Sequence, residues 1–377
     1  PSVRRQRQMC IRDSSACKQK FLSTLLLGGE IDEQLVSLFK KQYGDNVVRA
    51  NVIYKCTKAG YISREGGHKR YTYAMTDDGY NYLKGKCPDD YNYDVFKSNL
   101  TTAYSDSNKQ RRVKLAKLLF ELRKQNISCE THIENFRQIV DGTLEKPTSE
   151  SYFITMRELK STSQKFDTCI GTRCFGCIVT ANQIIACYMP DSETKLRKQN
   201  EESLFYALKG VTYSCKWYNA EDQLSALYIY PNISEAVKSF EKSKADNLGV
   251  IPSTRSAYEN SHFCNNFLYI INQRNYLREI LDVTQIERFK TSAAKLCEIG
   301  REKNEYVYRY KSQNIPVLFN LDGKELCKLF EIVKNKKMCV YIYHDEQSQI
   351  VNEITKEYNG KFLRITLSDE ELSEIEK

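Results

Sequence analysis

The chain has 377 residues, 41% of them hydrophobic, and 57 Lys/Arg against 48 Asp/Glu give a formal charge of +9. That length accommodates two or three domains, each large enough to bury a core. No run approaches the ~18 apolar residues of a membrane-spanning helix. The charge is modest, so its placement matters more than its size.

The stretch "RRQRQMCIRDS", Arg4–Ser14, sets four arginines against Asp13 and would suit an arm lying along phosphates. Its codons, however, can be written as one unbroken frame of the transposase adapter used to fragment DNA for sequencing. Residues 1–14 therefore resemble translated adapter on a metagenomic contig and are set aside from fold reasoning. They are expected to be either extended or disordered and to pack on nothing, with the true start missing. Of the fourteen cysteines, Cys10 falls in this stretch. The other thirteen are scattered and odd in number, which fits reduced, buried thiols in a cytoplasm and not a disulfide framework.

Residues 15–86 hold twelve Lys/Arg and seven Asp/Glu, residues 87–150 hold ten of each, and residues 151–377 carry a surplus of one base. A polyanionic partner is thus expected at the front. There, Phe21, Leu22, Leu25 and Leu26 recur at helical spacing, and Gly28-Gly29 stops that helix. Ile31 begins a short strand, and Asp32 caps a second helix carrying Leu35, Leu38 and Phe39. After "YGD" a third helix puts Val48, Val52, Cys56 and Ala59 on one face and ends at Gly60. "YISRE", "GGH" and "KRYTYAMT" read as strand, glycine-rich turn and strand, and Thr76 caps a closing helix "DDGYNYL".

Helix, strand, helix, helix, β-hairpin, helix is the order of a winged helix-turn-helix. The segment "KAGYI…YTYAMTDDGYNYL" closely resembles the third-helix exit, wing and closing helix of that family. The resemblance implies double-stranded DNA as the partner. A third helix in the major groove would present the side opposite its apolar stripe. That side offers Arg49, Asn51, Tyr54, Lys55 and Lys58, with Asn46 at the N-terminus, where backbone amides favour phosphate. The wing carries Arg64, His68, Lys69 and Arg70 for phosphate or the minor groove. A winged helix used only for protein contacts is the alternative. His68 has no neighbours in sequence to complete a metal site.

Residues 87–150 read as a helical connector. "CPDDYNYDVFKSNL" is turn-rich, and "SDSNKQRRVKLAKLLFELRKQNI" is a basic amphipathic helix. Val113, Leu115, Leu118, Leu119 and Leu122 stripe it, with Lys109, Arg111, Arg112, Lys114, Lys117, Arg123 and Lys124 on the rest. Such a helix can touch phosphates or a membrane surface. The expectation is a solvated basic face docked by its apolar stripe.

Residues 151–377 read as α/β. "SYFITMRELK", "FGCIVT" and "IIACYMP" are three successive strands, followed by "LSALYIY" and "HFCNNFLYIIN", each with a helical pattern after it. Near the C-terminus "IPVLFNL", "GKELCKLFEIVKN", "MCVYIYH", "SQIVNEITKEY" and "KFLRITL" alternate strand and helix. That alternation implies parallel βαβ crossovers with helices on both faces. Together with the winged helix, "RRVKLAKLLFELRKQN" and "YFITMRELK" followed by "GTRCFGCIVT", this arrangement resembles the replication-relaxation family of plasmid and conjugative-element proteins. The resemblance implies an N-terminal winged helix-turn-helix joined to an α/β domain with a mixed, partly parallel sheet like the restriction-endonuclease (PD-(D/E)XK nuclease) fold.

Metal-dependent phosphodiester cleavage needs clustered carboxylates and a lysine. Glu158-Leu159-Lys160 has that E-x-K look, but on the first strand, and the next two strands contain no acid. Glu158 and Lys160 are expected to be a surface pair flanking a strand, with nuclease catalysis as the alternative. "CIGTRCFGC" holds Cys169, Cys174 and Cys177 without a second Cys pair, so no structural zinc is expected. His132, His262 and His344 are isolated in sequence, and "FNLDGKEL" is too poor in glycine for a nucleotide loop.

The chain is thus expected to be a cytoplasmic, sequence-specific DNA-binding protein of a bacterial mobile element. It would act in transcription or as an accessory to replication or mobilisation. No cofactor, metal or membrane is expected; protein partners of a replication complex and a homodimer remain open. The abundance of Tyr, Lys and Asn fits an AT-rich bacterial genome.

Overall fold

A computed structural model describes residues 2–67, 70–101, 105–191, 194–218, 223–241, 250–251, 261–271, 283–302, 305–310, 313–319, 325, 327, 329, 339–344, 348–356 and 362–376. The chain divides into two compact units, Pro1–Ile133 with Tyr152–Ser161, and Glu134–Ser151 with Thr162–Lys377. These bounds differ from the expected 15–86, 87–150 and 151–377. The basic helix belongs to the first unit, because it buries its apolar stripe there.

The first unit begins with α1, Ser2–Gly28. Residues 2–14 were expected to be extended, and their backbone is helical instead. Arg, Gln and Met are good helix formers, and no Gly or Pro interrupts them. What their side chains pack on lies outside the described residues. Further along α1, Phe21, Leu22, Leu25 and Leu26 are fully buried. The helix ends as expected at Gly28, where Asn99 Nδ2 donates to the orphan carbonyls of Leu26 (2.7 Å) and Leu27 (3.2 Å).

β1 (Glu30–Asp32) follows, then α2 (Glu33–Tyr43), whose first turn is capped by Asp32 Oδ1 accepting from the Leu35 N–H at 2.8 Å. Gly44, at φ +92°, turns the chain into α3. α3 comprises a π-wound segment Val47–Tyr54 and an α-helical turn Lys55–Lys58. Gly60 (φ +74°) ends it. β2 (Ile62–Gly67) and β3 (Arg70–Met75) form an antiparallel hairpin, and β1 pairs with β3 to give the sheet order β1-β3-β2. α4 (Asp77–Lys86) is capped by Thr76 Oγ1, which accepts from the Gly79 N–H at 3.1 Å.

α5 (Tyr93–Phe96) precedes α6 (Asp106–Lys124), which packs on α1 and β1. A Cβ on Gly28 would lie 2.7 Å from that of Ala116, so the glycine permits the close approach of α1 and α6. Leu118, Leu119 and Leu122 are buried as expected, while Val113 and Leu115 are only half-buried. The cations of α6 are not simply solvated. Lys117 lies 2.7 Å from Asp32, Lys109 3.8 Å from Glu30 and 4.0 Å from Glu65, and Arg123 Nη1 donates to Thr24 Oγ1 at 2.7 Å. In chain order α7 (Ile133–Val140) follows, in the second unit from Glu134 on, and β4 (Tyr152–Thr155) and α8 (Met156–Thr162) then complete the first unit. The expected strand "SYFITMRELK" therefore stops at Thr155, because the Thr-x-x-Glu that follows starts a helix.

In the second unit β5 (Gly176–Val179) and β6 (Ile184–Tyr188) form an antiparallel hairpin. β7 (Leu196–Arg197) leads into α9 (Lys198–Thr212), and the chain returns as β8 (Leu224–Tyr230), parallel to β6. α10 (Ile233–Glu241), β9 (Val250–Ile251) and β10 (Asn266–Ile270) follow, with β10 parallel to β8.

A second sheet has the order β11-β12-β13-β14-β15, formed by Glu298–Glu302, Glu305–Tyr310, Gln313–Phe319, Cys339–His344 and Phe362–Leu367. Its first three strands are antiparallel and its last three parallel, as the strand-helix alternation required. Phe289, Ala293, Val317, Val340, Ile342, Leu367 and Leu372 form a core against it. Most of the expected helix at 323–335 lies outside the described residues. The chain is a mixed α/β protein with a mixed, partly parallel five-stranded sheet.

Candidate nucleic-acid interface

α2, the turn at Gly44, and α3 succeed one another within the first unit, and α3 packs on α1 and α2. Val48, Val52 and Cys56 are fully buried. Their spacing by four keeps them in line along a helix whose turns are widened by π-winding. Ala59, expected on that face, is exposed beside Gly60, where the chain leaves the helix.

The opposite side carries the chemistry. Asn46, Arg49, Lys55 and Lys58 are exposed, Asn51 is half-buried, and Tyr54 is 62% exposed despite its large ring. All six of these side chains carry hydrogen-bond donors and three are cations, so the face is suited to phosphate oxygens and base edges. Ala50 and Thr57 are exposed on the same helix and were missed. Spacing was the available signal, since 50, 54 and 57 follow one another at i, i+4 and i+7.

An acid, Asp45, flanks this face and is engaged by Lys40. Asp45 Oδ1 lies 2.9 Å from Lys40 Nζ, and that hydrogen bond keeps the exposed carboxylate below its usual range. Arg64 projects from β2 with its guanidinium 3.9 Å from the centroid of the Tyr71 ring on β3, a cation–π contact across the hairpin. The ladder extends to Gly67↔Arg70. His68, Lys69 and the Arg70 side chain lie outside the described residues.

Glu158 and Lys160 are not the expected surface pair: both lie on α8, and Glu158 is buried. Glu158 Oε2 accepts from the Thr155 N–H and hydroxyl, both at 2.9 Å, and the Glu158 N–H donates to Thr155 Oγ1 at 3.3 Å. That reciprocal arrangement is a capping box at the start of α8. Burial pushes the carboxyl up to about 7, against the pull of the Thr155 bonds. Lys160 is exposed. Among the described residues no three His, Cys, Asp or Glu side chains are placed to hold a metal ion.

Cys169, Cys174 and Cys177 are all buried. The Cys174 thiol donates to the Gly176 carbonyl at 3.1 Å, and a hydrogen bond with Cys174, then burial, pushes Cys177 well up. Inert core thiols behave this way.

Two histidines that are isolated in sequence are not isolated in space. His132 Nε2 is 2.8 Å from Ser128 Oγ, and its ring stacks on Tyr152 at 4.4 Å. Ser128 Oγ also donates to Glu130 Oε2 at 2.7 Å. The serine thus sits between acid and imidazole, whereas a nucleophile relay needs the imidazole in the middle. His262 Nε2 lies 2.9 Å from Glu202 Oε1.

Compared with models of protein families, with curated proteins and with solved structures, the chain has no match. Among the described residues no helix is long and apolar enough to cross a membrane.

Proposed function

We propose that this chain is a sequence-specific DNA-binding protein of a bacterial mobile element. It acts in the cytoplasm, in transcriptional control or as an accessory to plasmid replication or mobilisation. In this reading the first unit contains a winged helix-turn-helix, with α3 in the major groove and the β2–β3 hairpin as wing. The second unit contributes a nuclease-like α/β partner region, a label that rests on its mixed sheet and on the resemblance carried by "GTRCFGCIVT", whereas "YFITMRELK" belongs to the first unit. No cofactor is part of the mechanism.

The observation that carries the reading is the division of α3. A buried stripe at Val48, Val52 and Cys56 holds the helix to the unit, while Arg49, Tyr54, Lys55 and Lys58 are left exposed. Rigid mounting of a basic, donor-rich helix face is what base readout requires. A capped α2 and a glycine turn before it supply the mounting. The engagement of Glu158 with Thr155 supports this reading over the nuclease alternative.

The test is retardation of duplex DNA flanking the chain's own gene, run as a salt series beside random duplex. The expected result is a preferred site bound at least about 10³-fold tighter than random DNA at the same salt. Absence of a retarded complex with any duplex at low salt would leave protein contact as the role of this face.

A further inference from the structure

Two arginines from different helices converge on one exposed serine of the first unit. Ser98 lies in the short helical turn Lys97–Leu100. Arg157, on α8, donates from Nη1 to Ser98 Oγ at 2.9 Å. Arg112, on α6, donates from Nη2 to the Ser98 carbonyl at 3.4 Å and from Nη1 to the Thr101 carbonyl at 2.6 Å. Both guanidiniums are therefore held within bonding reach of a single residue.

The charge balance there is unfavourable. Arg157 is held below its usual range, first by burial and then by the like charges of Arg112 and Arg111. The acids nearby are Glu30, 3.7 Å from Arg112 and 3.8 Å from Lys109, and Glu65, 4.0 Å from Lys109. These two carboxylates face Arg112 and Lys109, while Arg157 is turned to Ser98. Collecting guanidiniums in a partly desolvated place costs energy unless an anion enters.

We propose that Arg112 and Arg157, meeting at Ser98, form a binding site for a phosphate oxyanion. Guanidinium forks arriving from two helices suit the tetrahedral oxygens of a phosphate. Ser98 Oγ accepts from Arg157 and keeps its own proton to donate to the anion. The phosphate comes either from a DNA backbone or from a free phosphate or phosphomonoester. The site stands whether or not α3 reads DNA.

Thermal unfolding of the full chain in inorganic phosphate, against chloride at equal ionic strength, tests the site. Phosphate is expected to raise Tm by about 2–4 °C more than chloride, and Arg157→Gln is expected to lose that increment. Should Arg157→Gln fail to fold, Ser98→Ala carries the same test at an exposed position. A purely structural pair of arginines would lower Tm on mutation but leave the phosphate increment intact, and that result overturns the proposal. So does equal stabilisation of the wild type by the two anions. The source is read from duplex DNA binding. A salt slope flattened by about one unit in Arg157→Gln marks a backbone phosphate, and an unchanged slope with a lost increment marks the small anion.

Discussion

Lys117 Nζ lies 2.7 Å from Asp32 Oδ2, while the other oxygen of Asp32 caps α2 through the Leu35 N–H. One carboxylate thus ties the basic helix to the start of the helix that precedes α3. The basic helix is a brace for the proposed reader.

Asp32→Ala is expected to cost about 1–2 kcal/mol, most of it from the lost cap and the remainder from the ion pair. Lys117→Met should cost less, about 0–1 kcal/mol. Urea unfolding of the two single variants and the double variant separates the contributions. If Asp32→Ala leaves the midpoint where it was, the brace is of no consequence.

Arg49→Ala is expected to cost about 1–3 kcal/mol on the preferred duplex and much less on random DNA, as for a base contact. The Lys69/Arg70 double alanine variant should weaken all duplexes alike and flatten the salt slope by about one unit for each residue. Affinity against salt for the three proteins checks both. A loss of the same size on every sequence for Arg49→Ala would make it a backbone contact.

Two glycines of α4 should respond to alanine in opposite directions. A Cβ on Gly79 would come 2.1 Å from the Tyr61 carbonyl oxygen, whereas one on Gly85 meets nothing within 4 Å. Gly79→Ala is expected to destabilise by about 1–3 kcal/mol. Gly85→Ala is expected to stabilise by about 0.5–1 kcal/mol through helix propensity. Thermal unfolding of both variants is the measurement, and equal effects would contradict the packing of α4 against Tyr61.

Glu158 should make the fold less stable as pH rises. Its folded-state pKa is raised from 4.5 to about 7 by burial. The protonated form is therefore favoured by folding, a contribution fully present below pH 4.5 and lost as pH climbs through about 7. Glu158→Gln keeps an acceptor for the Thr155 N–H and removes this loss. Wild type and variant should match in acid and diverge in favour of the variant above neutrality, by at most about 3 kcal/mol. Parallel stability curves from pH 4 to 8 would rule out a raised carboxyl; those limits span the window.

Much of the first unit is legible without coordinates. The helical run Phe21 to Leu26, the caps at Asp32 and Thr76, and the glycine stops at Gly28 and Gly60 each depend on residues within one turn of each other. The same holds for the buried stripe of α3 and for the βαβ alternation that gives parallel β13, β14 and β15. The strand at 151–160 was misread because "YFIT" and "MRELK" join without a break, although Thr155-x-x-Glu158 is itself a local capping signal.

The destination of charge was not legible. Seven cations along α6 look alike in sequence, yet Lys117 meets Asp32, Lys109 meets Glu30 and Arg112 meets Ser98. His132 and Ser128 meet on a turn that packs on Tyr152, twenty residues farther on. Local periodicity determines helices, caps and the sides of α3, because backbone hydrogen bonds and side-chain stripes repeat over three or four residues. Ion pairs and the meeting of Arg112 with Arg157 join residues separated by tens of positions. Only the packed path of the chain decides which charges come within reach, since Coulomb attraction depends on distance in space and carries no record of order along the sequence.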